Sequence, residues 1–209
     1  IFLTGCPSMD LAVNLKTDKN LLKKYHGVGS NIDLSKPYLV VLQHPVTTEY
    51  EDAKFQIKNT INAIISLNVQ TIWLWPNVDA GSDEISKTLR IYREKKLLNK
   101  VRFYKNFDPE DFLKLIASSK CLVGNSSSAI REGSFLGIPA VNIGNRQNGR
   151  EHGKNILHAG YDSKEILKAI NFQIKHGKYP KQKIFGNGYA GKKITQILNQ
   201  VKPNIKKKL

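Results

Sequence analysis

Cys121-Leu122-Val123-Gly124-Asn125-Ser126-Ser127-Ser128-Ala129-Ile130-Arg131-Glu132 decides how the rest of the chain is read. An apolar run makes a short strand, small polar residues follow, and a helix runs from about Ser127 to Leu136. In an open parallel α/β sheet, ligands bind outside the carboxyl ends of the strands. Free backbone N–H groups at such a helix start favour an anion, and the macrodipole adds to the preference. Serine hydroxyls add donors for phosphate oxygens. Glu132, one turn into the helix, can accept hydrogen bonds from a ribose diol. An ordinary serine N-cap followed by a surface Glu accounts for the same residues. The stretch alone therefore names no ligand.

The unit repeats on both sides. Upstream, Tyr38–Leu42 is an apolar, β-branched run, and Glu51 to Leu67 shows helical periodicity with Phe55, Ile57, Ile61, Ile64 and Ile65 along one side. Thr71–Trp75 is a strand stopped by Pro76. Ser82–Glu94 is a helix with Asp83 and Glu84 in its first turn. Val101–Tyr104 is a strand, and Asp108-Pro109-Glu110-Asp111 starts a helix with an acidic N-cap and Pro at the first helical position. Downstream come a strand at Pro139–Ile143, a helix capped at Asp162-Ser163-Lys164-Glu165 and running through Ile174, and a last helix from Gly188 to Val201. Apolar rather than alternating strands, separated by helices, predict an α/β fold with a parallel sheet covered on both faces. Ile1-Phe2-Leu3-Thr4 reads like the end of a strand and lacks an initiator Met. Residues 1–30 are accordingly expected to connect from a preceding domain, with 31–209 as the domain itself; a processed N-terminus is the alternative.

With 209 residues, 40% of them hydrophobic, the chain can bury the core of one domain. It contains no run of about 18 apolar residues that would span a membrane and opens on no secretory leader. Cys6 and Cys121 have no metal or disulfide spacing, so a reducing, cytoplasmic setting is expected. The net charge is +16, but the lysines are scattered over helices, and the one cluster, Lys206-Lys207-Lys208, reads as a solvated tail. Aromatic residues do not interleave with the basic ones as in an RNA-binding motif. Neither nucleic acid nor membrane is expected as a partner. An anionic small molecule suits the charge.

The strand ends are consistently polar: Gln43–Glu49, Trp75–Ser82, Lys105–Asp108, Gly124–Ser128 and Gly144–Gln147. Such loops converging on one rim point to a site. His44, if protonated, would neutralise a leaving phosphate; beside Pro45 it can equally be structural. Asn77 and Asp79 also read as loop formers, and Arg146 as a solvated side chain. No G-x-x-x-x-G-K-[ST] occurs, and Gly27-Val28-Gly29 precedes a strand rather than following one, which excludes a dinucleotide fingerprint.

Gly5-Cys6-Pro7-Ser8, Gln43-His44-Pro45-Val46-Thr47-Thr48-Glu49, Trp75-Pro76-Asn77-Val78-Asp79-Ala80-Gly81-Ser82, the Gly124–Glu132 stretch and Asn142-Ile143-Gly144-Asn145-Arg146-Gln147-Asn148-Gly149-Arg150-Glu151 stand in order between Gly5 and Gly160. Together they resemble the hydrolysing UDP-N-acetylglucosamine 2-epimerases. The resemblance implies a Rossmann-like parallel sheet with helices on both faces, the C-terminal half of a GT-B-type two-domain fold, with UDP in the interdomain cleft. It implies that Ser126 and Ser127 hold the diphosphate and that Glu132 bonds the ribose. Phe107 would offer backbone contact to the uracil, although its side chain departs from the family's pattern. Asn77 and Arg146 would contact the UDP moiety, and His44, the one catalytic residue carried over, would help UDP leave. Family enzymes eliminate UDP to a glycal-type intermediate and, in the hydrolysing branch, add water to give N-acetylmannosamine. Most of the acids and bases are implied in an N-terminal domain outside this sequence, so the chain alone is expected to be inactive. No cofactor or metal is implied, and the full-length protein is expected as a homodimer. The other readings are hydrolysis of a UDP-diacetamido-trideoxy sugar, a non-hydrolysing epimerase, a GT-B glycosyltransferase, and a non-enzymatic module binding nucleic acid or acidic surfaces.

Overall fold

The computed structural model describes residues 1–201; the Lys206–Lys208 tail lies outside them. In chain order the elements are α1 (Ser8–Ala12), β1 (Val28–Gly29), β2 (Tyr38–Leu42), α2 (Ala53–Leu67), β3 (Gln70–Leu74), α3 (Ser82–Glu94), β4 (Val101–Tyr104), α4 (Pro109–Ser118), β5 (Cys121–Gly124), α5 (Ser127–Leu136), β6 (Ala140–Ile143), β7 (Ile156–Ala159), α6 (Ser163–His176) and α7 (Ala190–Gln200), with short 3-10 turns at Leu21–Lys24 and Thr47–Asp52.

Every residue of β2 is buried, and alternation along it explains why the strand reads as a plain apolar run. Successive side chains point to opposite faces of a sheet. Val40 and Leu42 pack with α1, α4 and α5 on one face, while Leu39 and Val41 pack with α2, α3 and α6 on the other. Both faces are core, so no position along β2 is free to be polar. The strands stand in the order β1-β4-β3-β2-β5-β6-β7. From β4 to β7 they are parallel, and β1 closes one edge antiparallel to β4. The sequence order reverses direction between β2 and β5, whose register pairs Leu39 with Cys121 and Leu42 with Gly124. A reversal of this kind leaves a crevice at the carboxyl ends of the two strands. Gly124, at φ +127°, lies so close to β2 that an added Cβ would sit 2.1 Å from the Leu42 carbonyl oxygen.

Several expectations need correcting. Ile1–Thr4 belong to no strand, and Ile1, Phe2 and Leu3 are exposed rather than packed. Both edge strands went unread: β1 has only two residues, and β7 has a half-exposed middle. The apolar stripe of α2 is narrower than its sequence indicates, with Ile57, Ile61 and Ile64 buried but Phe55 and Ile65 exposed. Asp108 holds the N-cap position of α4 without capping by its side chain. Its carboxylate instead lies 3.0 Å from the Tyr25 hydroxyl, whose single proton is shared between Asp108 and the Asp111 carboxylate, also at 3.0 Å.

Residues 1–30 pack closely on the rest. Met9 and Ala12 are buried against the α4 and α5 side of the sheet. The Cys6 amide donates to the Phe185 carbonyl at 2.7 Å. Tyr189 caps α7 with no side-chain bond. Its first amides, of Ala190 and Gly191, donate instead to the Asp10 carboxylate at 2.9 and 2.7 Å.

Candidate functional site

Asn125, the first residue after β5, fastens the crevice. It is 1% exposed, and its amide donates to the Leu42 carbonyl at 3.0 Å. Its side chain pairs twice with the His44 backbone: Oδ1 accepts from the His44 amide at 2.8 Å, and Nδ2 donates to the His44 carbonyl at 2.8 Å. Its own carbonyl accepts from Arg146 Nη1 at 3.2 Å and Gln147 Nε2 at 2.7 Å. One buried amide residue thus joins the loops after β2, β5 and β6. Sequence reading passed over it because all of its partners come from other strands.

His44 is 8% exposed, and its Nδ1 accepts the Asn77 amide proton at 3.1 Å. A neutral imidazole accepting at one nitrogen carries its proton on the other, so His44 offers Nε2–H. Burial, and secondarily the Arg146 charge, push its pKa down to about 4 against a smaller opposing effect of Asp79. In the ligand-free protein His44 therefore stands as a neutral hydrogen-bond donor rather than the cation that protonation would make it. Desolvation penalises the charge, and the Asn77 N–H occupies the nitrogen that would take the proton.

At the start of α5 the Ser126 hydroxyl accepts from the Ser128 amide at 3.3 Å, so the serine does cap its helix. The amides of Ser126 and Ser127 make no hydrogen bond among the described residues and remain available, as the first N–H groups of a helix do. Both serines are half-buried. Glu132 is not a surface residue. It is 5% exposed, its Oε1 accepts from the Ser8 hydroxyl at 2.8 Å, and its buried Oε2 has no partner among the described residues. Ser8, in turn, lies 3.1 Å from Cys6 Sγ. No local pattern could have revealed a bond across 124 residues.

Two clefts open on this rim. The first, about 550 Å³, is bordered by His44, Asn77, Phe107 and Ser126, with Trp75 and Phe112 adding aromatic wall. Phe107 itself is 4% exposed and sits in the core, edge-on to Tyr25 with ring centres 4.6 Å apart. Its side chain is thus committed to packing. The second cleft, about 520 Å³, is bordered by Thr47, Thr48, Asp79, Asn145, Arg146 and Asn148. Of the residues singled out in the sequence, His44, Asn77, Phe107 and Ser126 share one cleft and Arg146 lines its neighbour. Ser127 and Glu132 border neither; they lie on α5, with Glu132 turned toward α1.

A sheet wound in this order, with its crevice at the reversal point and a helix start open to an anion, defines a Rossmann-like α/β domain. It is the kind that forms the C-terminal half of a GT-B-type fold. The chain belongs to the UDP-N-acetylglucosamine 2-epimerase family, whose sequence profile matches residues 1–199. It is 31% identical over 205 residues to a UDP-N-acetylglucosamine 2-epimerase of Neisseria meningitidis serogroup B, covering 95% of this chain and 52% of that protein. It is 28% identical over 202 residues to a UDP-N,N'-diacetylbacillosamine 2-epimerase (hydrolyzing) of Legionella pneumophila, covering 96% of this chain and 52% of that one. The chain therefore spans about half the length of the curated relatives it matches. Among solved structures, the UDP-GlcNAc 2-epimerase of Methanocaldococcus jannaschii, in complex with UDP-GlcNAc and UDP, shares the fold at a TM-score of 0.68 and 18% identity. That match covers 96% of this chain and 55% of the other. No helix of the described residues is long and apolar enough to cross a membrane.

Proposed function

We propose that this chain is the UDP-binding part of a cytoplasmic, hydrolysing UDP-N-acetylglucosamine 2-epimerase, which converts UDP-N-acetylglucosamine and water to N-acetylmannosamine and UDP. The observation that carries the reading is the convergence at the end of β2 and β5. The neutral His44 and Ser126, whose amide is free, border a cleft with aromatic wall, the free Ser127 amide follows on α5, and the Arg146 guanidinium lines the neighbouring cleft. Aromatic wall suits a uracil, and converging N–H donors suit a diphosphate.

In the reaction, the sugar loses its C2 proton and the C1–O bond breaks. A C1=C2 double bond forms and the electron pair leaves with UDP. Charge grows on the bridging and terminal phosphate oxygens as that bond opens. Donors already in place stabilise it without reorganising. His44 contributes through Nε2–H, and Arg146 through its charge. Water then adds at C1 while C2 regains a proton on the opposite face, giving the free sugar with inverted C2. The groups that move the C2 proton are assigned to a preceding domain, and the full-length protein is assigned as a homodimer. The chain by itself is expected to bind UDP without turning substrate over. The name of the Legionella relative favours one variant of the same chemistry, a UDP-linked diacetamido-trideoxy sugar as substrate.

The test is incubation of full-length protein with UDP-N-acetylglucosamine, with products followed by proton NMR. Free N-acetylmannosamine and UDP in equal amounts are expected. UDP-N-acetylmannosamine as the product would show a non-hydrolysing epimerase, and sugar transfer to an acceptor would show a glycosyltransferase; either would overturn the proposal.

A further inference from the structure

Glu49 stands in the loop after β2 but borders neither cleft. The turn Thr47–Asp52 departs from helical geometry at this residue, with φ −134° and ψ 30°. Its half-buried carboxylate collects donors from three other parts of the chain. Oε2 accepts from Gln56 Nε2 of α2 at 2.9 Å and from the Tyr161 hydroxyl, after β7, at 3.1 Å. Oε1 accepts from Asn145 Nδ2, in the loop after β6. A carboxylate has about four lone-pair sites, so most of its accepting capacity is used inside the protein. Burial, and next the bond to Glu49, push the Tyr161 hydroxyl up to about 12, so it keeps its proton and donates. The Tyr161 ring also lies directly on the Gly144 backbone, where an added Cβ would meet it at 2.2 Å.

What these bonds hold is a turn. The Asn148 amide donates to the Asn145 carbonyl at 2.8 Å, with Arg146 and Gln147 between them. Arg146 and Gln147 reach the Asn125 carbonyl from the middle of the turn, while Asn145, its exposed first residue, is fastened by Glu49. Among the described residues the Arg146 guanidinium makes one hydrogen bond, so its direction depends on where the turn sits. A cation held in place before the ligand arrives loses less freedom on binding than one that must be ordered then. We propose that Glu49 is a positioning residue for the diphosphate site: it fixes the Asn145–Asn148 turn, and through it the Arg146 guanidinium, where a pyrophosphate is held. The proposal rests on the nucleotide reading of the rim. Acting through Arg146 also suits the charge of Glu49, since a carboxylate set directly against a diphosphate would repel it.

The experiment is calorimetric titration of full-length protein with UDP, beside thermal melts. It compares wild type, Glu49→Ala, Glu49→Gln, Tyr161→Phe and Arg146→Ala, and each Glu49 and Tyr161 change combined with Arg146→Ala. Arg146→Ala is expected to raise the dissociation constant about tenfold, the scale of one hydrogen bond to a charged group. Glu49→Ala should raise it about fivefold, within the scale of one neutral hydrogen bond. Glu49→Gln, which keeps one accepting oxygen, and Tyr161→Phe should raise it by less. On the Arg146→Ala background all three should leave the constant unchanged, because changes that act through one group are not additive. A merely structural Glu49 gives the same fold-change in both backgrounds, or none in protein that is folded. Either result overturns the proposal and leaves the nucleotide reading standing, as does undiminished binding by Arg146→Ala. Tyr161→Phe decides in the same way if Glu49→Ala does not fold. Failure of wild type to bind UDP at all overturns both.

Discussion

Replacing Asn125 with alanine should be among the most damaging single changes at the rim, and its cost can be worked from the bonds it removes. Two hydrogen bonds of 2.8 Å vanish, and the amide and carbonyl of His44 are left buried without partners. Each orphaned buried group costs about 1–3 kcal/mol. The sum, roughly 2–6 kcal/mol, is a large part of the ~5–15 kcal/mol that holds a typical domain together. For a chain of this length, at about 2–4 °C per kcal/mol, it corresponds to a melting temperature lower by roughly 4–24 °C. Circular dichroism melts and urea titration of wild type and variant measure it directly. Asn125→Asp separates the two bonds. A carboxylate still accepts from the His44 amide but faces the His44 carbonyl with an oxygen where a donor stood, so it should be no better than alanine. Because His44 is positioned through its own backbone, UDP affinity should fall as well, in the fraction that remains folded. A melting temperature within about 2 °C of wild type, the range of a neutral surface change, together with undiminished UDP binding, would refute the claim that Asn125 fastens the site.

Three other outcomes are expected. His44 has a folded-state pKa of about 4 against an ordinary 6.5, so the unfolded chain takes up its proton first as the pH falls. The resulting stability is complete above pH ~6.5 and is lost on acidification toward pH 4, by at most ~3 kcal/mol; His44→Gln should lack this component when urea-derived stabilities at pH 7 and 4.5 are compared. Gly124→Ala forces a Cβ to within 2.1 Å of the Leu42 carbonyl at φ +127°, so the β2–β5 pair cannot keep its register. A cost beyond about 3 kcal/mol, the top of the usual range for strained backbone, should appear as loss of soluble, folded protein. Asp10→Ala frees the first two amides of α7 and should cost ~0.5–2 kcal/mol, visible as faster hydrogen exchange at residues 190–193 than in wild type.

What could be read from the chain, and what could not, divides along the distance between partners. Ser82–Glu94 and Ser127–Leu136 are helices with the same bounds in sequence and structure, because caps, first-turn acids and periodicity are all local. The rim was legible for a similar reason: in a parallel sheet, the residues after each apolar run must emerge on the same side. The edge strands escaped because β1 has two residues, and because β7 is buried at its ends only. The states of the site residues escaped for a deeper reason. His44 is held neutral by burial in the folded protein, with its Nδ1 taken up by the Asn77 amide 33 residues away, and Glu132 is half-occupied by Ser8 from 124 residues away. Residue type alone makes His44 a candidate cation and Glu132 a free acceptor; folding adds the partner that changes each. Even the serine helix start is both things at once: the Ser126 side chain caps α5, and the backbone amides it does not reach remain open to an anion. The capping reading and the binding reading of Gly124–Glu132 were never exclusive, since the first uses an oxygen and the second uses nitrogens. The side-chain oxygen can therefore be removed at modest cost, whereas among substitutions only proline removes an amide. Loss of binding in Ser126→Ala would then measure the hydroxyl alone, and the backbone share of the anion site is open to change through Ser127→Pro at the first helical position, which deletes one amide, or through the geometry that Gly124 and Asn125 impose.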